Sequence, residues 1–409
     1  MINFKIKLAN AILLAFYFFI AAGPVPIHFS FLYVHHLITF LTALIILAIF
    51  NSNKTETKYN ISDLALIILQ ISYIPSVILS HDITESLIRY LINLGFFVTF
   101  LLLTKIKIDE EFYYKNYKLS LIALLVISFT IIIIYIDIDK TDIHRMALAV
   151  NYDDLRTFGR QPQNAVDPNH TGMGLMLLTA FCLPGLHKYH SKIFRFFLIY
   201  PIIVLVFICM AILESRTSMI GLFIAVLVYN YCLLRNNFIY FCLMTILCSV
   251  LFLLLITHLL DAIGIIELIK SRFDLNGIII DGTAEGGRIF LMKEAASLFT
   301  MNYVTFLFGY GFYLTNPHNE YFKVFINSGT ISGLLFLTYL LLFYFKLKKN
   351  SINKTNTFLI VLTPIIVAMT TYGHVMLFWL AFGMSWILSF VDLEEQKNTK
   401  TLTLSVNYS

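Results

Sequence analysis

Four clusters of polar residues interrupt a largely apolar sequence, and each carries side chains that can bind an anion or move a proton. The first cluster is Glu214-Ser215-Arg216-Thr217-Ser218, which lies between two apolar runs. The planar guanidinium of Arg216 can hold a phosphate or diphosphate through paired hydrogen bonds, and the hydroxyl of Ser215 can add another. The alternative is structural: Arg216 pairs with Glu214 or extends toward the membrane surface.

The second cluster is Gly286-Gly287-Arg288, which precedes a short run of mixed apolar and polar residues. The amide groups at a helix N-terminus favour anions, and an arginine beside them would strengthen such a site. The alternative is that Arg288 is a solvated residue on a surface helix.

The third cluster runs from Phe308-Gly309-Tyr310-Gly311-Phe312-Tyr313 through Asn316-Pro317-His318-Asn319-Glu320-Tyr321 into the next apolar run. An imidazole titrates near neutral pH, so His318 suits proton transfer at the start of a helix. Glu320 is a rival base, and Asn319 is a further candidate for substrate binding. The alternative is a structural histidine, with the glycines permitting tight turns and close helix approach.

The fourth cluster contains Arg156, Arg160 and the stretch Asp167-Pro168-Asn169-His170-Thr171-Gly172. A polar loop that ends in an Asx-Pro turn and a helix cap accounts for this pattern. The functional interpretation is that Arg156, Arg160 and Asn169 face a charged lipid or sugar.

Arg89 lies inside an apolar run, with Asp82 and Glu85 on its N-terminal side. It is either a member of a structural ion pair or a residue that lines a cavity.

The composition requires that membrane-spanning elements position these clusters. Of the 409 residues, 59% are hydrophobic and 13% are charged, and the mean hydropathy is +0.81. An average soluble domain has roughly 25% charged residues, so a water-soluble fold of this size is excluded. Lysines that flank membrane spans explain the net charge of +5, and no nucleic-acid partner is expected.

A helix that crosses a bilayer needs about 20 apolar residues, and the sequence contains about twelve such runs. The runs are predicted at 7–25, 29–50, 61–80, 86–104, 117–136, 170–186, 193–213, 217–234, 237–258, 322–345, 357–373 and 375–391. The first has the pattern of a signal peptide too, but the spans that follow favour an uncleaved helix. The prediction is an all-α, polytopic membrane protein with a single membrane domain over 1–409.

The distribution of basic residues predicts the orientation, because short positive connections stay in the cytoplasm. With the N-terminus inside, the even-numbered connections and both termini are basic, whereas the connections 23–28 and 80–85 contain no Lys or Arg. Two long connections, 137–169 and 259–321, then lie outside.

Both long connections exceed the usual length of a structureless loop, which favours ordered structure. Within the second, residues 286–299 predict a glycine-led amphipathic helix of about 12 residues along the outer membrane surface. The five cysteines lie in or beside apolar runs and lack metal-ligand spacing, so neither disulfides nor zinc is expected. No nucleotide-binding P-loop, dinucleotide fingerprint or HExxH pattern occurs, so energy from bound ATP is not indicated.

Four stretches taken in order resemble the O-antigen ligase and O-antigen polymerase superfamily of bacterial membrane glycosyltransferases. They are LESRTSMIGLFIAVLVY, GGRIFLMKEAASLF, FLFGYGFY and NPHNEYFKVFINSGTISGLLFL. The shared pattern is a Ser-Arg at a helix start, an Arg that heads a loop helix, Phe-Gly-x-Gly, and His-Asn before a glycine-spaced span. These motifs cover 210–345, and the N-terminal half matches in span number and loop placement only.

The resemblance implies a C-type glycosyltransferase-like fold in the bacterial inner membrane, with a periplasmic active site and an undecaprenyl-diphosphate-linked oligosaccharide as donor. It also implies that the reaction needs neither a metal nor a nucleotide cofactor. Arg216 and Arg288 would bind the diphosphate, and His318 would assist the acceptor hydroxyl. Fixed arginines would stabilise the charge that develops on the leaving group. The implied partners are the lipid-linked donor, an acceptor glycolipid and, as a candidate, a chain-length regulator.

The sequence is compatible with three functions. A repeat-unit polymerase for O-antigen or capsule is favoured by the GRQPQNAVDPNHTG, ESR and FLFGYGF stretches. A ligase, which transfers the glycan to the lipid A core, is the first alternative. A polysaccharide-lipid transporter or flippase is the second, although transporters usually place polar groups at the membrane midplane.

Overall fold

The computed structural model of this chain is all-helical, apart from one pair of two-residue strands. It describes residues 28–29, 32–33, 60–105, 110–137, 168–189, 192–213, 215–234, 246, 288–312, 319–351 and 375–391. The helices are α1 Ile61–Ser72, α2 Ile74–Ile78, α3 Ile83–Leu103, α4 Glu110–Asp137, α5 Pro168–Tyr189, α6 Lys192–Ile212, α7 Arg216–Leu234, α8 Arg288–Phe299, α9 Tyr303–Phe308, α10 Glu320–Asn350 and α11 Val375–Leu388. Strands β1 (His28–Phe29) and β2 (Leu32–Tyr33) pair antiparallel.

Four helical segments among the described residues are long and apolar enough to cross a membrane. They are Ile61–Ile78, Ile83–Leu101, Phe112–Ile133 and Glu320–Asn350. The predicted runs 7–25 and 357–373, and most of 29–50 and 237–258, lie outside the described residues. The total of about twelve spans therefore stays a prediction.

Two predicted runs in the N-terminal part of the chain differ from the observed elements. Run 29–50 does not begin as a helix, because Phe29 and Leu32–Tyr33 belong to the strand pair. Run 61–80 divides into α1 and α2 at Tyr73, and Pro75 stands in the first turn of α2. Proline has no backbone N–H, which favours a break at this point.

Helix α5 is the centre of one helical group, because it packs against α4, α6, α7 and α11. Every described side chain from Thr171 to Leu186 is buried. A helix that is apolar on all sides must be shielded from water, and here the neighbouring helices cover it.

Helices α1, α3, α10 and α11 form a second group, which polar side chains hold together. The Nδ2 of Asn93 on α3 donates to the Oε1 of Gln70 on α1 at 2.8 Å. The Nε1 of Trp379 on α11 donates to the Oδ1 of Asn93 at 2.9 Å. Hydrogen bonds of this kind join helices where the surroundings are apolar.

Buried charges at one end of this group fix how α1, α3 and α10 run relative to one another. The Asp63 carboxylate accepts from Lys105 and, at 2.8 Å, from the Nζ of Lys346. The hydroxyls of Ser72 and Ser332 lie 3.0 Å apart nearer the other end. Helix α1 is therefore antiparallel to α10, and the end of α3 lies beside the start of α1.

Candidate functional site

Helix α10 folds back on itself at Gly329, where φ is 81° and ψ is 172°. In a straight helix, Tyr321 and Phe336 would be separated by about 22 Å along the axis. Their ring centroids instead lie 6.2 Å apart. The sequence predicted one continuous span over 322–345, but residues 320–328 form a separate segment that returns along 330–350.

Residues 308–312, the loop segment, include the Phe-Gly-x-Gly motif and stabilise this fold-back. The amide of Tyr310 donates to the carbonyl of Ile326 at 3.0 Å, and the amide of Gly311 donates to the carbonyl of Asn327 at 3.1 Å. The Thr330 hydroxyl donates to the carbonyl of Phe306 at 2.8 Å. The loop thus supplies hydrogen bonds at the point where α10 loses its regular backbone pattern.

Glycine is required on both sides of this contact. Gly309 has φ of 89° and ψ of 169°, and both it and Gly329 occupy a backbone region that is essentially restricted to glycine. A Cβ on Gly309 would lie 2.2 Å from the carbonyl oxygen of Asn327. A Cβ on Gly329 would lie 2.2 Å from the carbonyl oxygen of Leu307.

Phe312 anchors the C-terminal end of the loop segment. Its amide donates to the Ser86 hydroxyl at 2.8 Å. Its ring is fully buried and lies 5.0 Å from the ring of Tyr73 and 5.5 Å from that of Tyr90. The loop is therefore tied to α3 as well as to α10.

The folded-back segment places two charged residues in the interior. Glu320 is 1% exposed and Lys323 is 5% exposed, and their opposite charges attract each other. The positive charge of Arg89 on α3 repels that of Lys323. Ionisable residues buried among membrane helices are expensive to place, and they often mark functional positions.

Asn319 and Arg89 each make a structural contact. The Oδ1 of Asn319 accepts from the amide of Phe322 at 3.2 Å, so Asn319 caps the folded-back segment. Arg89 forms an ion pair with Glu85 one turn away, and both side chains are nearly half exposed. The ion-pair interpretation of Arg89 is confirmed.

Ser215 forms a tight junction between α5 and α7. Its hydroxyl lies 2.7 Å from that of Ser218, and both residues are fully buried. A Cβ on Gly172 would lie 2.7 Å from the Oγ of Ser215. The contact of α5 with the start of α7 therefore depends on the small size of Gly172.

Arg216 and Arg288 occupy the predicted positions in the chain, since each is the first residue of a helix. Arg216 begins α7 and Arg288 begins α8. Helix α8 has the predicted 12 residues and packs against α10. Lys293 and Ser297 on one side of this helix are exposed, and Ala295 on the other side is buried.

The remaining predicted site residues are described in part or lie outside the described residues. Asn169 is in the first turn of α5, directly after Pro168, and proline is favoured at the first position of a helix. His318, Arg156 and Arg160 lie outside the described residues.

Arg216 and the fold-back lie in the same half of the helical assembly. Residues 103–110 span at most about 25 Å, too little to cross a bilayer core of about 30 Å. Helix α4 therefore begins at the end of the assembly where Lys105 lies. The Cys209 thiol, one turn before the end of α6, donates to the carbonyl of Ser128, roughly 27 Å along α4. The end of α6, and Arg216 after it, therefore lie at the end of the assembly away from Lys105. Gly329 lies at that end too, because Lys346 at the other end of α10 shares the Asp63 carboxylate with Lys105.

Sequence reasoning missed Lys323 as a buried residue, and it missed the contact of the Phe-Gly-x-Gly motif with residues 326–330. One signal was present: Lys323 is the first Lys or Arg after Lys293, and it stands inside an apolar run. A basic residue in that position predicts either a partner or a water-filled cavity. The chain matches no known protein-family model, and no curated protein matches its sequence at a significant level.

Proposed function

We propose that this chain is a membrane glycosyltransferase that uses an undecaprenyl-diphosphate-linked oligosaccharide at the periplasmic face of the bacterial inner membrane. Its proposed role is polymerisation of O-antigen or capsule repeat units. One observation carries the proposal: two stretches of the family-like pattern, FLFGYGF and INSGT, contact each other through backbone hydrogen bonds. Contact between two motifs that are separate in the sequence supports the interpretation that they belong to one functional site.

The proposed reaction needs an anion site and a base. The acceptor hydroxyl gives its proton to His318, with Glu320 as the rival base. The hydroxyl oxygen attacks the anomeric carbon of the donor, the bond from that carbon to the diphosphate breaks, and the electron pair leaves with the diphosphate. Arg216 and Arg288 stabilise the charge on that leaving group.

The positions of these residues in the described helices are compatible with this chemistry. Arg216 and Arg288 both begin helices, where backbone amides and the helix dipole favour anions. Asn319 and Glu320 begin the folded-back segment, and His318 precedes them directly in the chain. Asn169, Arg156 and Arg160 are proposed to contact the lipid or the sugar.

A ligase that transfers the glycan to the lipid A core is the first alternative, because the sequence PHNEY suits it as well. Deletion of the gene followed by gel analysis of surface polysaccharide separates the two enzymes. Loss of a polymerase leaves single repeat units attached to the core. Loss of a ligase leaves no attached glycan, while long lipid-linked chains persist.

A specific observation favours a transporter as the second alternative. Transporters use discontinuous helices with polar groups inside the membrane domain, and α10 is interrupted at Gly329 with Glu320 and Lys323 buried beside it. A transport function predicts that the lipid-linked oligosaccharide crosses the bilayer of reconstituted vesicles unchanged. A glycosyltransferase predicts a new glycosidic bond.

A further inference from the structure

Helix α9 and the residues before it expose an unusual amount of apolar surface for part of a connection that is predicted to lie outside the membrane. Tyr303 is 88% exposed and Met301 is 68% exposed, and Val304, Phe306 and Leu307 are each at least 40% exposed. Contiguous apolar surface of this kind usually marks contact with a protein or a membrane.

The surrounding sequence contains no formal charge. No Asp, Glu, Lys or Arg occurs between Glu294 and Glu320. A loop in water usually carries charged side chains, whereas charges are costly inside a bilayer.

Much of the backbone around α9 has hydrogen bonds within the protein. The Oδ1 of Asn302 accepts from the amide of Thr305 at 2.9 Å, and the Oγ1 of Thr305 accepts from the amide of Asn302 at 3.2 Å. The carbonyl of Phe306 accepts from the Thr330 hydroxyl. Internal hydrogen bonding of this kind is what the hydrocarbon region requires, since no water is available there.

The exposed face of α9 continues into an exposed apolar stripe on α10. The stripe consists of Ile331, Leu334, Leu337, Leu341 and Phe345, each between 41% and 56% exposed. Its spacing of three or four residues follows one face of a helix. Because Thr330, which precedes the stripe, is hydrogen-bonded to Phe306, the two surfaces adjoin.

We propose that α9 is embedded in the outer leaflet of the bilayer and that its exposed face contacts lipid acyl chains. Residues 300–308 would then be a re-entrant element of the long connection 259–321. This inference is independent of the enzymatic proposal, because it rests on exposure, charge and hydrogen bonding and, for the choice of leaflet, on the predicted orientation.

Tryptophan fluorescence in vesicles tests the location directly. The two native tryptophans, Trp379 and Trp386, are each 4% exposed, and the quenching of the wild-type protein is subtracted as their contribution. We would compare Tyr303→Trp and Leu307→Trp with two reference variants. Leu334→Trp reports an acyl-chain position on the stripe, and His81→Trp reports an exposed position in the short connection before α3.

The expected result is that phospholipids with brominated acyl chains quench Tyr303→Trp as strongly as Leu334→Trp, whereas iodide in the buffer quenches only His81→Trp. Quenching of Tyr303→Trp by iodide would overturn the proposal and place α9 in water. Protection from both quenchers would also overturn it, because another protein or a second copy of this chain would then cover α9. Leu307→Trp gives the same decision if Tyr303→Trp fails to fold.

Discussion

Gly309 and Gly329 lie on opposite sides of one backbone contact, and each has a positive φ that brings its own segment against the other. The two residues are separated by twenty positions in the sequence, and no helical or strand periodicity relates them. Their contact holds the loop segment against the point where α10 reverses direction. Phe312, three residues after Gly309, packs against Tyr73 and Tyr90 and so ties this contact to α1 and α3.

Replacing either glycine is expected to destabilise the fold. In Gly309→Ala or Gly329→Ala, the strained backbone region alone costs about 1–3 kcal/mol, and the Cβ clash with a backbone oxygen adds to that cost. A thermal shift of the purified protein measures the effect. Gly383→Ala is the matched control, because its Cβ would lie 3.2 Å from the flexible Cδ2 of Leu103. Equal stability of Gly329→Ala and Gly383→Ala would contradict this account of the fold-back.

Asp63→Asn is expected to lower stability by about 3–5 kcal/mol, because it leaves Lys105 and Lys346 without their shared carboxylate. The Asp63 side chain is 3% exposed, and those of the two lysines are 9% and 12% exposed. Glu85→Gln breaks the half-exposed ion pair with Arg89 and should cost only about 0.3–0.5 kcal/mol. Chemical denaturation in detergent compares the two variants, and a similar loss in both would show that burial of the Asp63 cluster is energetically unimportant.

Lys323→Met is expected to destabilise the protein, because Glu320 then stays buried beside one fewer positive charge. Adding Glu320→Gln should recover part of the lost stability, since interacting charges give non-additive effects. Lys118→Met serves as the control: Lys118 is exposed and its ammonium lies over the Tyr114 ring. The free energies of unfolding of the single and double variants give the coupling, and strictly additive losses would rule out an energetic link between Glu320 and Lys323.

The helices could be predicted from the sequence because a membrane span requires a long apolar run, and basic residues mark the connections between such runs. The start of α8 at Arg288 and that of α7 at Arg216 were predicted from local patterns and are confirmed. The reversal at Gly329 could not be predicted, because it depends on a distant loop that supplies hydrogen bonds in place of the helix. The contact of α8 with α10 could not be predicted, because the local pattern of α8 does not indicate which helix it packs against.

The proposed diphosphate site predicts selective loss of glycan transfer. Arg216→Ala and Arg288→Ala should lower the transfer rate by about 100- to 1,000-fold, the usual effect of removing a group that stabilises transition-state charge. Membrane insertion should be unchanged. Lys293→Ala, an exposed residue of α8, is the control for Arg288→Ala. Normal transfer by the arginine variants would remove them from the diphosphate site.

His318→Ala should also reduce transfer severely, because the proposed proton acceptor is lost. His81→Ala is the control, since His81 is an exposed histidine in the connection before α3. Near-normal transfer by His318→Ala would leave Glu320 or substrate-assisted chemistry as the source of the base. Glu320→Gln then distinguishes these two, because only the first requires the carboxylate.

The most direct test of the central proposal is glycan transfer by the purified protein in vesicles that contain an undecaprenyl-diphosphate-linked repeat unit. We predict lipid-linked chains longer than one repeat unit, together with released undecaprenyl diphosphate, and loss of both products in Arg216→Ala. An unchanged repeat unit in the presence of folded wild-type protein and a suitable acceptor glycolipid would contradict the proposal.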